Sequence, residues 1–113
     1  LSNPLSVRDY IYIDDVLDLY MVAITKAKKF CGQIFNVGSG HQIRISYIVE
    51  EIVRLTNSTS KVNWYAVPGR DFDAKRWQAD INNTKRFFGW KPGYSIEEGL
   101  IKTINFYINK RSR

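Results

Sequence analysis

Arginine and tyrosine alternate with isoleucine near the start of the chain, in the run Arg-Asp-Tyr-Ile-Tyr-Ile-Asp-Asp-Val (8–16). Read with the two-residue period of a strand, Arg8, Tyr10 and Tyr12 share one face of a short strand. A guanidinium group can bind phosphate, and Arg8 would stand where the strand leads into a helix, a place where ligand clefts of α/β proteins form. The simpler alternative is a surface Arg8 paired with Asp9, an interaction of little energetic consequence.

A second stretch with suitable chemistry is the charged, irregular run Gly-Arg-Asp-Phe-Asp-Ala-Lys-Arg-Trp-Gln at residues 69–78. Arg70 and Arg76 could each donate two hydrogen bonds to a phosphate, and Asp73 could accept from sugar hydroxyl groups. The run is therefore a candidate site for an anion that carries hydroxyl groups. Spacing alone leaves a solvated charged loop equally open.

The first stretch must be positioned by the helix that follows it, which we predict over residues 15–29. Asp15 is expected to cap the first amides of this helix. Gly32 lies just past the predicted end, and Cys31 is interpreted as a small packed residue. The three- and four-residue spacing of apolar side chains predicts a buried stripe of Val16, Leu17, Tyr20, Ile24 and Ala27.

A short strand is predicted over residues 33–37, followed by Gly-Ser-Gly at 38–40. Two glycines around a serine indicate either a tight turn or a loop that cradles phosphate, and the turn is favoured because the longer spacing of a phosphate-binding loop is absent. Asn36 is expected to hydrogen-bond the backbone at this turn. Ser46 is expected to cap the next helix, over residues 47–55.

The later part of the chain reads as a strand at residues 61–67 and a short helix at 80–88 that Asp80 caps and Gly89 ends. Trp90 is interpreted as a core anchor. The run Ser-Ile-Glu-Glu (95–98) is a capping box, in which Ser95 and Glu98 bond each other's backbone amides. It opens a last helix over residues 96–109, with an inner face of Ile96, Leu100, Ile104, Tyr107 and Ile108.

Composition and net charge limit the possible domain count, partners and compartment of the protein. The 113 residues predict one domain, 1–113, that can bury a core without disulfides, and the net charge of +6 favours anionic partners. One cysteine, Cys31, and one histidine, His41, cannot form a Cys/His zinc site, and the lone cysteine suits a reducing compartment, so we expect a cytoplasmic protein. No run approaches the ~18 apolar residues that a membrane span needs. The start at Leu1 suggests a fragment or a processed chain.

Several motifs of this chain stand in a recognisable order: the run at 8–16, Phe-Asn-Val-Gly-Ser-Gly (35–40), Ala-Asp-Ile (79–81), Phe-Gly-Trp-Lys-Pro (88–92) and Ser-Ile-Glu-Glu-Gly-Leu (95–100). Together they resemble the carboxyl-terminal part of the extended short-chain dehydrogenase/reductase family. More narrowly, the chain resembles the NAD-dependent nucleotide-sugar epimerases and dehydratases of the UDP-glucose 4-epimerase type. The resemblance covers nearly the whole chain.

The resemblance implies the fold class α/β: a small mixed α/β substrate-binding domain, the carboxyl-terminal part of a Rossmann-type epimerase without the Rossmann domain itself. In this family the Rossmann domain binds NAD and carries a catalytic Tyr-x-x-x-Lys pair. Neither that pair nor Gly-x-x-Gly-x-x-Gly occurs in this chain. We therefore expect NAD in the parent protein but no cofactor bound by this chain alone, and no activity of this part by itself.

Carried over residue by residue, the resemblance implies a substrate-binding set rather than a catalytic one. Arg8 matches the arginine of the family's Arg-Asp-Tyr/Phe motif, which binds diphosphate. Arg70 matches an arginine ahead of the Ala-Asp motif and would be a second phosphate contact. Asp73 matches an acidic residue that accepts from the nucleotide ribose, and Tyr10 would line the cleft. No catalytic residue and no metal ligand is expected in this chain.

The implied ligand is a nucleoside-diphosphate sugar, with a UDP-sugar favoured, and the implied protein partner is the missing Rossmann domain. We expect this part to be a monomer and the parent a homodimer, with no nucleic-acid or membrane partner. Three alternatives remain: a reductase or dehydratase of the same family, a free-standing nucleotide-sugar binding module without catalysis, and a nucleic-acid binder. The last is disfavoured because the lysines and arginines do not gather on one predicted helix face.

Overall fold

We analysed a computed structural model of the chain, which describes residues 1, 3–66 and 76–111. Its elements in chain order are β1 (Val7–Arg8), α1 (Ile13–Lys26), one turn of 3₁₀ helix (Ala27–Lys29), β2 (Ile43–Arg44), α2 (Ile45–Thr56), α3 (Asn82–Phe88) and α4 (Ile96–Arg111). The strands pair antiparallel, with Val7 opposite Arg44 and Arg8 opposite Ile43. This small mixed α/β architecture confirms the predicted fold class. None of the helices in these ranges has the length and apolar character needed to cross a membrane.

The first predicted strand is shorter than expected, because α1 begins at Ile13 and β1 ends at Arg8. Asp15 consequently lies inside the helix, and the prediction that it caps α1 is wrong. Its carboxylate is buried, with 3% exposure, and accepts hydrogen bonds from the backbone N–H groups of Gly93 at 2.7 Å and Tyr94 at 3.2 Å. Asp15 therefore fixes a distant segment instead of its own helix end.

The buried face of α1 also differs from the predicted stripe. Leu19 is the buried apolar residue of this helix, and Val22 and Ala23 pack against the core beside it. Of the predicted stripe, Leu17, Tyr20 and Ile24 are 51%, 61% and 69% exposed. The apolar pattern of α1 is therefore real, but much of it faces away from this chain's own core.

Aromatic side chains form the centre of the core. Phe88 and Trp90 are each 7% exposed and pack with Leu19, which confirms the prediction of Trp90 as an anchor. Phe35 meets Phe88 edge to face, with ring centroids 4.6 Å apart, and Phe30 meets Phe88 at 5.3 Å. Such edge-to-face pairs add specific attraction to the burial of apolar area.

The molecule is flat, with extents of 50 × 41 × 20 Å, and its radius of gyration of 16.9 Å exceeds the roughly 13 Å typical of a compact domain of this length. Residues 33–37 are not a strand, and Ile34 within them is 91% exposed. Residues 61–66 are not a strand either, and residue 67 lies outside the described ranges. Cys31 is exposed, so the interpretation of it as a packed residue is wrong.

Helix α2 begins at Ile45, and Ser46 does not cap it, which corrects another prediction. Backbone carbonyl groups accept from its first amides instead: Ile45 N–H donates to Ser6 O at 3.0 Å, and Ser46 N–H donates to Pro4 O at 3.2 Å. Two orphan donors of the helix start are thereby satisfied by the segment that leads into β1. Helix α2 is thus attached directly to the strand that carries Arg8.

The capping box of α4 is confirmed. Glu98 accepts from the Ser95 N–H at 2.8 Å and from its hydroxyl at 2.7 Å, and the Ser95 hydroxyl accepts from the Glu98 N–H at 3.2 Å. The prediction that Tyr107 and Ile108 belong to the inner face of α4 is wrong, because their side chains are 61% and 55% exposed. An ion pair of 2.7 Å between Arg54 of α2 and Glu97 ties the start of α4 to α2.

The capping box makes stability depend on pH. The backbone N–H and then the hydroxyl of Ser95 hold the pKa of Glu98 below its ordinary value. Because the pKa of Glu98 is lower in the folded than in the unfolded protein, the capping box stabilises the fold fully above the unfolded value of about 4.3. This stabilisation is lost as the pH falls through the folded pKa. We expect Glu98→Gln to lower the urea midpoint at pH 7 and to differ less from the wild type at pH 3. Glu50→Gln, at an exposed position of α2, is the control and should differ at neither pH.

Candidate functional site

The carboxylate of Asp9, the residue that follows β1, holds three segments of the chain together. Its Oδ1 accepts from the Ser39 N–H at 2.7 Å and from the Ser39 hydroxyl at 2.5 Å. Its Oδ2 accepts from the Gly40 N–H at 3.0 Å and from the Ala79 N–H at 3.1 Å. The alternative in which Asp9 serves as a surface partner of Arg8 is therefore replaced by a structural role.

Gly38 allows these segments to approach one another. A Cβ atom at this position would lie 2.6 Å from the Cβ of Ala79 and 2.7 Å from Oδ2 of Asp9. Distances this short would force backbone or the carboxylate to move. At Gly38 the Gly-Ser-Gly turn thus packs closely against the protein's own Asp9 carboxylate.

The same geometry tests whether the turn could hold the phosphates of a dinucleotide. The N–H groups of Ser39 and Gly40 already donate to Asp9, so a phosphate would have to displace a carboxylate of like charge. The Gly-Ser-Gly turn does not fit NAD, and the described residues also contain no group of three or more His, Cys, Asp and Glu side chains that could hold a metal ion.

The segment that ends the charged run returns beside β1. Arg76 forms a parallel bridge with Val7, and the Trp77 N–H donates to Val7 O at 3.2 Å. Gln78 then donates from Nε2 to Gly40 O at 2.5 Å. Residues 67–75, and with them the predicted ligands Arg70 and Asp73, lie outside the described ranges. Arg76, the first described residue after that gap, thus pairs with the β1 neighbour of Arg8.

Arg8 and Tyr10 are half-buried neighbours at this edge. The Arg8 Nη1 donates to the Val7 carbonyl oxygen at 2.9 Å. Burial raises the pKa of the Tyr10 phenol, and the positive charge of Arg8 partly offsets that rise. The positive charge of Arg8 thus influences the Tyr10 phenol, although Tyr10 lies beyond the end of β1 and not on the predicted strand.

Tyr10 lines a cavity of about 420 Å³. Tyr12 and Tyr94 also line it, and their rings meet edge to face with centroids 5.0 Å apart. The opposite wall is the first turns of α4, where Gly99 lets Tyr12 approach: a Cβ there would lie 3.1 Å from the Tyr12 Cβ. Three phenols thus line this cavity, and Arg8 precedes the first of them by two residues.

Sequence reasoning missed Asp9 and Asp15 as the carboxylates that position this site. Each accepts backbone amides from segments about 30 to 80 residues away in sequence. The available signal was their place in the run at 8–16, directly beside Arg8 and ahead of α1. The expected role of Asp80 at the start of α3 is confirmed, since its Oδ1 accepts the Asn82 N–H at 3.0 Å. Asn36 does bond backbone, but at Asp80 O, 3.1 Å from its Nδ2 and 44 residues along the chain, and not at its own turn as predicted.

Comparison with known proteins adds independent information. No protein-family model matches the chain. The UDP-glucose 4-epimerase of Mycolicibacterium smegmatis is 31% identical over 103 residues, which are 91% of this chain and 32% of that enzyme. The structure of UDP-glucose 4-epimerase from Thermotoga maritima with UDP-glucose matches with a TM-score of 0.82 at 25% identity, covering 96% of this chain and 34% of that one.

The dTDP-glucose 4,6-dehydratase of Bacillus anthracis, in complex with NAD, matches with a TM-score of 0.80 at 27% identity, covering 97% of this chain and 34% of that one. The chain therefore spans about a third of the length of these relatives. Fold and sequence together define the carboxyl-terminal part of a Rossmann-type α/β enzyme. The chain belongs to the extended short-chain dehydrogenase/reductase family, in the group of NAD-dependent nucleotide-sugar epimerases and dehydratases.

Proposed function

We propose that this chain is the part of an NAD-dependent sugar-nucleotide epimerase or dehydratase that binds the nucleoside-diphosphate sugar, with a UDP-sugar favoured. The observation that carries the proposal is that Tyr10 lines a cavity two residues after Arg8, and that Arg76, at the end of the charged run, pairs with Val7 beside Arg8. The relatives give the chemical class, since they are named for UDP- and dTDP-sugar reactions. Their reactions differ, so the proposal extends to the ligand class and leaves epimerisation and dehydration as alternatives.

The role of this part is to position the substrate. Arg8 and Arg70 would bind the diphosphate, Asp73 would accept a hydrogen bond from the ribose, and Tyr10 would line the cleft. Holding the sugar in one orientation lowers the entropic cost of reaching the transition state. The cofactor NAD and the catalytic pair would belong to a Rossmann domain outside this chain, so this part alone should turn over no sugar nucleotide.

The exposed face of α1 supports a larger parent protein. Ile13 and Met21, together with the three stripe residues described above, are between 51% and 69% exposed. A row of apolar side chains of this length on a free surface is unusual. We propose that the NAD-binding domain, which would account for most of the other two thirds of the relatives' length, covers this face. We expect the parent to be a cytoplasmic homodimer and this part alone to be a monomer.

Substitution of Arg70 tests the proposed ligand role. In the full-length gene product we expect Arg70→Ala to lower kcat/KM for the preferred UDP-sugar by about 10- to 100-fold, because a charge-assisted hydrogen bond to phosphate is lost. The control is Arg86→Ala, at an exposed position of α3 that has no part in the proposed site. Steady-state kinetics over the full substrate range separates KM from kcat.

A value of kcat/KM for Arg70→Ala within about twofold of the wild type would reject the assignment of Arg70. Turnover by the isolated 113-residue chain would reject the proposal that catalysis resides elsewhere. Tight binding of a nucleotide sugar by a full-length product that catalyses nothing would instead favour the free-standing binding module.

A further inference from the structure

Two adjoining cavities form a cleft, and Tyr10 is the one described residue among the proposed substrate contacts that lines it. One, of about 670 Å³, lies along residues 89–95 and is lined by Lys85, Lys91 and His41. The other is the 420 Å³ cavity of Tyr10 and Tyr94 described above. His41 and Tyr94 line both cavities and mark their junction. We propose that this cleft is a second binding site, for a small aromatic phosphate.

The first cavity supplies positive charge. Among the residues that the structure describes, neither Asp nor Glu lines either cavity. The ammonium groups of Lys85 and Lys91 make no hydrogen bond or ion pair with the described residues and are exposed. Asp80 shares a smaller, third cavity with Lys85, but one of its oxygens already accepts the Asn82 N–H. Phosphate is the ligand group that such a set of donors favours.

The second cavity supplies aromatic surface. Tyr10, Tyr12 and Tyr94 line it, and Leu100 of α4 adds an apolar wall. The ammonium of Lys102 lies 5.1 Å from the centroid of the Tyr94 ring, so this phenol ring is already polarised by a cation. A flat ring that enters between the tyrosines would gain edge-to-face contacts in addition to buried area. A ligand that spans the junction would therefore carry a ring at one end and a phosphate at the other.

The wall between the two halves is fixed before any ligand arrives. The buried Asp15 carboxylate holds the N–H groups of Gly93 and Tyr94. Ser95 is held by Glu98 in the capping box, and Trp90 is anchored in the core. A rigid wall reduces the conformational entropy that a ligand loses on binding, so contacts here convert more fully into affinity.

The cleft is separate from the proposed substrate contacts except at Tyr10. Arg8 does not line either cavity, and the proposed phosphate donors of the cleft are Lys85 and Lys91. The inference therefore does not depend on the proposed function. Because Tyr10 borders both, the experiment must show binding in the presence of a nucleotide sugar.

The test uses the full-length gene product, with phenyl phosphate as the probe and saturating UDP-glucose present throughout. Isothermal titration should show that Lys85→Glu/Lys91→Glu weakens phenyl phosphate binding at least tenfold, because two attractive charges become repulsive. The matched control Lys28→Glu/Lys61→Glu changes the net charge equally at exposed positions outside the cleft and should stay within twofold. Affinity for UDP-glucose, titrated separately, should be the same in both variants.

A second measurement does not depend on any variant. In protein labelled with ¹⁵N, titration with phenyl phosphate should shift the indole N–H signal of Trp90, in the cleft wall, and leave that of Trp77, which is 62% exposed and lies elsewhere, in place. Equal binding by the lysine variant and the wild type, or an unmoved Trp90 signal, would overturn the site. Inorganic phosphate that binds as tightly as phenyl phosphate would overturn the aromatic half, and displacement of the probe by UDP-glucose would overturn its separateness.

Discussion

Replacing Asp9 with alanine should lower the free energy of unfolding by about 3 to 5 kcal/mol, because one partly buried carboxylate accepts from Ser39, Gly40 and Ala79. Its removal leaves three backbone N–H groups without their acceptor, each at a cost of roughly 1 to 3 kcal/mol that water can partly recover. Unfolding in urea followed by circular dichroism measures the change. For a domain of this size the loss is a large share of the total stability.

Two companion variants sharpen the Asp9 experiment. Asp18→Ala removes an exposed carboxylate from α1 and should change the free energy of unfolding by less than about 0.5 kcal/mol. Asp9→Asn keeps the shape of the side chain but replaces one acceptor oxygen with an NH₂ group that faces other donors. We therefore expect it to lower the free energy of unfolding by less than Asp9→Ala and by more than Asp18→Ala. A change for Asp9→Ala no larger than that for Asp18→Ala would contradict the role of Asp9 as the junction of three segments.

Truncation of Trp90 to alanine should be comparably severe, with a loss of about 3 to 5 kcal/mol, because it opens a cavity beside Leu19 and Phe88 in a core that has few buried residues. Trp77→Ala removes the same side chain from a position that is 62% exposed and should cost much less. Far-UV circular dichroism in urea is the suitable measurement, since both variants remove a fluorophore. Similar midpoints for the two variants would show that Trp90 is not the anchor of this core.

Structural features that involve only a few neighbouring residues could be predicted from the sequence. The capping box of Ser95 and Glu98 and the stop at Gly89, which has a φ of +67°, involve partners within one helical turn. Their geometry is set by local stereochemistry, which the residue types alone specify. The helices and their order were therefore predicted to within a few residues.

Structural features that depend on partners far away in the sequence could not be predicted from it. Asp15 has the residue type and position of a helix cap, yet its carboxylate is used by Gly93 and Tyr94, nearly 80 residues later in the chain. The apolar row of α1 was identified, but which side of it is buried depends on what packs there. In this chain Leu19 faces the core, while Leu17 and Ile24 point outward.

The candidate site was predictable in part for the same reason. Strand alternation placed Arg8 and Tyr10 on one face, but β1 ends at Arg8, and what links the two residues in the structure is the effect of the Arg8 charge on the Tyr10 phenol. Nothing in the spacing indicated that Asp9 would hold the Gly-Ser-Gly turn, because a carboxylate between an arginine and a tyrosine reads as an ion-pair partner. Long-range hydrogen bonds become visible only once the chain is folded.

Equilibrium binding of UDP-glucose to the full-length gene product tests the central claim most directly. We expect UDP-glucose and UDP to bind with similar affinity and glucose 1-phosphate far more weakly, with Arg8→Ala/Arg70→Ala reducing UDP-glucose affinity by at least 100-fold, since two charge-assisted contacts to the diphosphate are lost. The Lys28→Glu/Lys61→Glu protein serves as the control and should bind normally. Failure of every nucleotide sugar to bind, or equal affinity of the arginine variant and the wild type, would contradict the assignment of this chain as the substrate-binding part.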